Sequence, residues 1–165
     1  MKRRASRAPG FTIVELLIVI VVIAILAAIT IVAYTGIQER ADETVVQNDI
    51  SQLSRKMEIW KLDNSDQYPT IGQLVSVGIT ISKGSYLQTG RNNFYYCRSA
   101  DGQAYSFGIV SKAHQGYFLT TGNVLTQSAN STYQADTCGQ VGEDTASGTA
   151  GYAGSNGTWA GWVKG

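Results

Sequence analysis

Apolar and polar positions change their pattern along this chain, and each pattern predicts a different element. Leu16 to Gln38 is a run of 23 residues without a formal charge, dominated by Ile, Val, Leu and Ala. As a helix rising about 1.5 Å per residue it spans about 35 Å, enough to cross a hydrocarbon layer of about 30 Å. Beyond it, Val46, Ile50, Leu53, Met57 and Trp60 recur at alternating steps of four and three. That spacing predicts one apolar stripe on a continued helix. The stripe lasts only about two heptads, which favours docking on a sheet over a coiled coil. Glu39, Arg40, Glu43, Gln47, Lys56 and Lys61 mostly fall off the stripe. The helix should end near Leu62, because Asp63-Asn64-Ser65-Asp66 is turn chemistry and Tyr68-Pro69 blocks continuation.

Gln73-Leu74-Val75 then reads as a short helix or turn. From Asn93 the runs become short and β-rich. Asn93–Arg98, Gln103–Val110, Tyr117–Thr121 and Val124–Thr126 are the candidate strands. Ala100-Asp101-Gly102 and Thr121-Gly122-Asn123 supply hairpin turns, which predicts an antiparallel meander across the helix. From Gly139 to Thr158 the residues are mostly Gly, Ser, Thr and Ala, and the segment reads as an irregular surface loop. It ends in Trp159-Ala160-Gly161-Trp162-Val163. A last strand closing the core is the reading preferred for the two Trp; an exposed sugar- or surface-binding patch is the alternative.

Charge changes the picture mainly through its placement. Lys2, Arg3, Arg4 and Arg7 are four of the 13 basic residues; the remaining nine face 12 acids, a net of −3 for the rest of the chain. A general nucleic-acid-binding surface is not indicated. Basic residues before the apolar run, and Glu39 as the first charge after it, place the N-terminus in the cytoplasm and the rest outside. Cys97 and Cys138 then lie in an exported domain and read as one disulfide, the alternative being two buried free thiols. Closing a loop of about 40 residues stabilises by roughly 3–4 kcal/mol in the chain-entropy view.

An ordinary secretory signal also has a basic start and an apolar run. Here the run is long for a signal, and no clean small-x-small site stands near Ala33. Glu15 adds a carboxylate to the head of the run, which a signal does not need and which is costly in a membrane.

Gly10-Phe11-Thr12-Ile13-Val14-Glu15, followed by Leu16-Leu17-Ile18-Val19-Ile20, resembles the prepilin motif of type IV pilins and type II secretion pseudopilins. The resemblance covers about the first 35 residues. It implies cleavage after Gly10 by a membrane aspartyl peptidase, methylation of the new amine on Phe11, and an assembly role for Glu15. In a bundle of apolar helices an unpaired charge of either sign is costly. Glu15 of one subunit neutralises the Phe11 amine of a neighbour only in the correct axial stagger, so the pair specifies register. The alternative for Glu15 is a carboxylate snorkelling at the membrane surface. Many pilins carry a Pro and a Gly at the positions of Val32 and Ala24; their absence here favours a continuous helix. Tyr68-Pro69-Thr70 after a long helix also looks like pilin heads.

Other chemistry is sparse. His114 is the only histidine and sits in a predicted turn, which gives no metal site. No cofactor, metal or activated-nucleophile motif is present, and the acids Glu143-Asp144 read as solvated. Asn130-Ser131-Thr132 and Asn156-Gly157-Thr158 match the glycosylation triplet, a short motif that chance often supplies.

The expected fold is α+β, a long N-terminal helix packed on a small antiparallel sheet. The expected organisation is a cleaved leader over 1–10, a transmembrane and polymerisation helix over 11–38, and an extracytoplasmic head over 39–165. Within the head, the helix continues to about 62, the sheet spans about 93–126, and a Gly-rich tail covers 139–165. The expected function is a non-enzymatic subunit of a type IV pilus-like filament. Its partners are further copies of itself, the prepilin peptidase, a membrane assembly platform and, before assembly, membrane lipid. It starts in the cytoplasmic membrane as a single span and ends in a filament on the cell surface. The alternatives are a secretion pseudopilin, a minor pilin, or a single-pass membrane-anchored binding domain. Retention of Glu15 argues against a subunit confined to the filament tip.

Overall fold

A computed structural model of the chain describes residues 10–122, 125–128, 134–143 and 148–165. The basic residues Lys2, Arg3, Arg4 and Arg7 lie outside the described residues. So do Asn123, Val124, Asn130-Ser131-Thr132 and Asp144. The chain divides into two compact units, Met1–Gln38 and Glu39–Gly165. Helix α1, Ile13–Asp63, contributes to both. It stops where Ser65 and Asp66 adopt positive φ (59° and 60°), which a helix does not accommodate. The Asn64 side chain donates to the Trp60 carbonyl (2.9 Å), and the Asp66 N–H donates to the Lys61 carbonyl (3.1 Å). These bonds satisfy carbonyls that the last turn leaves open.

In the second unit a 3-10 turn, Ile71–Gln73, leads into the short helix α2, Leu74–Val77. Two small strands, β1 (Ile79–Thr80) and β8 (Val163–Lys164), pair in parallel. Among the described residues the main sheet has six strands: β2 Asn93–Arg98, β3 Tyr105–Val110, β4 Gly116–Thr120, β5 Leu125–Ser128, β6 Gly148–Ala153 and β7 Thr158–Trp159. Their order is β5-β4-β3-β2-β6-β7, antiparallel throughout. The strands begin or end one or two residues from the sequence-based bounds, apart from β2, whose bounds coincide.

Side-chain alternation gives the sheet two faces. Tyr96, Phe107 and Leu119 stand in one cross-strand row. With Phe94, Tyr105, Ile109 and Tyr117 they bury against Val46, Ile50, Leu53 and Met57 of α1. The four-three stripe is therefore the core face of the helix, although Trp60 at its end is only half-buried. Trp162 and Val163 join this core, while Trp159 is half-buried and packs edge-on to Tyr86 and Phe94. The opposite face carries helix α3, Gln134–Gly139, which no sequence pattern announced.

The Gly-rich segment corrects the sequence reading. It was expected to be an irregular loop; instead it supplies β6, which lies inside the sheet between β2 and β7. The meander is only the first four strands, so the sheet does not end near 126. The glycines are there for proximity. A Cβ on Gly148 would fall against the Tyr95 ring, the Cys97 sulfur and the Tyr96 carbonyl. A Cβ on Gly151 would stand 2.9 Å from the Phe94 carbonyl oxygen. Beside the rings of Phe94 and Tyr95 and the Cys97 sulfur, positions 148 and 151 of β6 have room for glycine alone.

Acids on α1 fasten the head to the helix, a role that apolar periodicity does not reveal. The Tyr86 hydroxyl (3.1 Å) and the Ser82 N–H (2.7 Å) donate to Asp49. Ser85 donates to Asp42 (2.8 Å), Tyr117 to Glu43 (2.5 Å) and Tyr68 to Glu58 (2.8 Å). Glu143, expected to be merely solvated, accepts the Ala100 N–H at 2.7 Å.

Candidate functional site

The N-terminal end of α1 carries the residues that the motif singled out. Thr12 precedes the first helical residue, and Glu15 is the third residue of the helix. Glu15 Oε2 accepts from the Thr12 N–H (2.9 Å) and from the Thr12 hydroxyl (2.7 Å). The Glu15 N–H in turn donates to Thr12 Oγ1 at 3.2 Å. This is a reciprocal capping box, which satisfies amide groups that the first turn otherwise leaves open. Its Thr-x-x-Glu signature ahead of an apolar run was legible in the sequence but was read only for Glu15.

Gly10 and Phe11 stand just before this cap, both exposed. A side chain at Gly10 would meet no atom of the described residues, so packing among them does not demand glycine there. Phe11 is 81 % exposed. Every residue from Phe11 to Ile31 is exposed, whichever side of the helix it occupies. An apolar helix uncovered all round needs a non-aqueous environment or like helices around it. Two of its hydroxyls have local partners: Thr30 donates to the Ala27 carbonyl (2.9 Å), and the Tyr34 oxygen accepts from the Gln38 amide (2.9 Å). α1 is the one helix among the described residues that is long and apolar enough to cross a membrane.

The remaining residues of interest lie in the second unit. Cys97 on β2 and Cys138 on α3 form a disulfide, with Cα atoms 5.2 Å apart. His114 is exposed at positive φ (64°) in the turn between β3 and β4. Among the described residues no group of three His, Cys, Asp or Glu stands close enough to hold a metal ion. Asn156 caps the β6–β7 turn, its Oδ1 accepting from the Thr158 hydroxyl at 2.6 Å.

The family described as the prokaryotic N-terminal methylation motif matches residues 6–31. The type II secretion system core protein G of Klebsiella michiganensis is 39% identical over 80 residues, covering 48% of this chain and 54% of that protein. The corresponding protein of Dickeya chrysanthemi is 35% identical over 92 residues, 56% of each chain. The type IV wide pilus major component PilA4 of Thermus thermophilus is 39% identical over 72 residues, 44% of this chain and 55% of that one. The chain thus spans about half the length of the curated relatives it matches. No solved structure matches. The methylation motif, the apolar helix it opens and the α+β fold make this chain similar to type IV pilins and type II secretion pseudopilins over the matched half.

Proposed function

We propose that the chain is a structural subunit of a type IV pilus-like filament. It enters the cytoplasmic membrane as a prepilin with its basic N-terminus inside. The prepilin peptidase cuts it after Gly10 and methylates Phe11, and a membrane assembly platform extracts it into the fibre. Residues 11–38 are the transmembrane and polymerisation segment, and residues 39–165 form the head outside the membrane.

The observation that carries this reading is the uncovered apolar helix headed by Gly10-Phe11 and Glu15. Lipid covers it before assembly and the helices of neighbouring copies cover it afterwards. Glycine at position 10 answers to the peptidase, since packing among the described residues does not require it. Both bonds that the Glu15 carboxylate accepts from Thr12 fall on Oε2. Oε1 is then the atom offered to the Phe11 amine of a neighbour, so the cap and the intersubunit pair coexist. Catalysis is not part of this role.

Several of the similar proteins are secretion-system core G proteins, which favours a second reading as a pseudopilin of a secretion system. Two measurements test the proposal. Mass spectrometry of the mature protein should find an N-terminal methyl-Phe11; an intact leader, or a cut near Ala33, would overturn the prepilin reading. Antibody-labelled micrographs should find surface filaments containing this chain. Short filaments seen only on overproduction would select the pseudopilin role.

A further inference from the structure

The sheet buries a separate cluster on each face, and the two differ greatly in size. Among the described residues eighteen side chains form the core on the α1 face. On the α3 face the buried members among the described residues are three, Tyr95, Cys97 and Cys138, with Val141 and Ala150 at the margin. Two of those three are the disulfide itself. Among the described residues apolar burial therefore contributes little to holding α3, beside the covalent link, the buried Thr137 and the bond from Ala100 to Glu143.

The floor under α3 is narrow and small. Cys97 is flanked by Ser106 on β3 and Gly148 on β6, and Tyr95 by Gly108 and Ala150. Ser106 Oγ is buried there and has no hydrogen-bond partner among the described residues. A buried hydroxyl without a partner loses its water and gains nothing in return, so covering it opposes closure. The Val141 and Glu143 amides both donate to the Cys138 carbonyl (3.0 Å each), so these bonds lie inside the α3 segment. The bond from the Ala100 N–H to Glu143 (2.7 Å) ties it to the β2–β3 turn.

We infer that Gln134–Glu143 is a redox-released cover for this face of the sheet. A dithiol transfers two electrons and two protons to the Cys97–Cys138 bond; the Sγ–Sγ bond breaks, two thiols form, and the dithiol closes to its own disulfide. The cover then lifts, Ser106 regains water, and Tyr95 is bared beside a fixed thiol on β2 and a mobile one on α3. The larger core does not involve either sulfur, so the rest of the head stays folded. The inference concerns the head alone and holds for a pilus subunit and a pseudopilin alike.

Hydrogen exchange of the full chain in detergent micelles, with and without dithiothreitol at constant pH, tests it. On reduction the Val141 and Glu143 amides should exchange at least about tenfold faster, while those of Tyr96, Phe107 and Leu119 stay within about twofold. Acceleration of the sheet amides in step with the cover would make the disulfide a global staple and overturn the inference. Unchanged exchange at Val141 and Glu143 would overturn it too, by showing that the non-covalent contacts suffice. In the reduced chain Ser106→Ala should slow exchange at Val141 and Glu143 severalfold, because the hydroxyl that opposes closure is gone. Equal or faster exchange in that variant would remove the orphaned hydroxyl from the account.

Discussion

Asn93 pairs with Val110 through its side chain: Oδ1 accepts the Val110 N–H and Nδ2 donates to the Val110 carbonyl, both at 2.8 Å. The amide thus does for β3 what a strand backbone would do. Its other valences are also filled, by the Phe94 N–H (2.7 Å) and the Leu87 carbonyl (2.8 Å). This matters because the next residue, Phe94, is fully buried at φ 54°, a conformation costly for a bulky side chain. Asn93→Ala removes four hydrogen bonds from a buried site and the support of that conformation. It should destabilise the head by about 3 kcal/mol or more, read as a lower urea midpoint. Asn93→Asp, which keeps the acceptor and loses the donors, should fall between the two.

Asp49 is the buried acid of α1, and it holds Tyr86 and the Ser82 N–H. Asp49→Ala leaves both donors without an acceptor and should cost about 2–4 kcal/mol. Asp49→Asn retains an acceptor and should cost less. Equal losses for the two variants would show that charge, and not hydrogen bonding, is what Asp49 supplies.

Alkaline pH should loosen the same attachment. Burial, followed by the bond to Glu43, pushes the Tyr117 hydroxyl up to about 12. Burial and a neighbouring acid also raise Tyr68, through Glu58, and Tyr86, through Asp49. In the unfolded chain a tyrosine ionises near pH 10. Above that pH the unfolded state has lost protons that the folded state still holds, so stability falls as pH rises. The contribution is whole below about pH 10 and declines through about pH 12. Urea midpoints measured from pH 8 to 12 should be flat at first and then drop. Tyr117→Phe should drop less steeply.

Gly148 tests the packing of β6 on β2. A Cβ there would meet the Tyr95 ring and the Cys97 sulfur. Gly148→Val should destabilise by about 3 kcal/mol or more through overpacking. Its free-thiol content after oxidative refolding should also rise. Gly161→Val is the control, because a Cβ at Gly161 meets nothing within 4 Å.

The function itself is tested at Glu15. Glu15→Leu removes the carboxylate proposed to meet the Phe11 amine of the neighbouring copy, and with it one half of the capping box. The variant should be cleaved and membrane-resident, with a folded head, yet absent from sheared surface fibres. Glu15→Gln separates the roles, since it keeps a capping acceptor while losing the charge. Full incorporation of Glu15→Leu into fibres would overturn the assembly role. Normal mature protein from Gly10→Trp would likewise overturn the cleavage assignment.

How much of this was legible in the sequence follows from what each signal depends on. The α1 stripe and the strand β2 were readable because Val46, Ile50, Leu53 and Met57, and the run Asn93–Arg98, declare themselves by local spacing. β6 was not, because Gly-Thr-Ala-Gly-Tyr-Ala has the composition of a loop. Its strand state comes from Tyr95 and Phe94, some fifty residues earlier, which leave room only for small neighbours. α3 is six residues long, too short for periodicity to register. The roles of Asp42, Glu43, Asp49 and Glu58 have no local signal, since their tyrosine and serine partners come from distant strands and turns. At the N-terminus Glu15 and Gly10 stood out by type and spacing alone, and the reciprocal bond with Thr12 was the part passed over.

The insertion of β6 next to β2 also sets the order in which the head can be made. Asn93–Cys97 pairs with Gly148–Tyr152, and Ile79–Thr80 pairs with Val163–Lys164 at the end of the chain. Contacts of such long sequence separation raise the contact order and slow folding. During synthesis β2 through β5 emerge as a hairpin array, with one flank of β2 unpaired until some fifty residues later. That flank is an open strand edge and invites pairing with other nascent chains. Trp162 and Val163 therefore act as a completion signal: until they arrive, the core beneath α1 stays open.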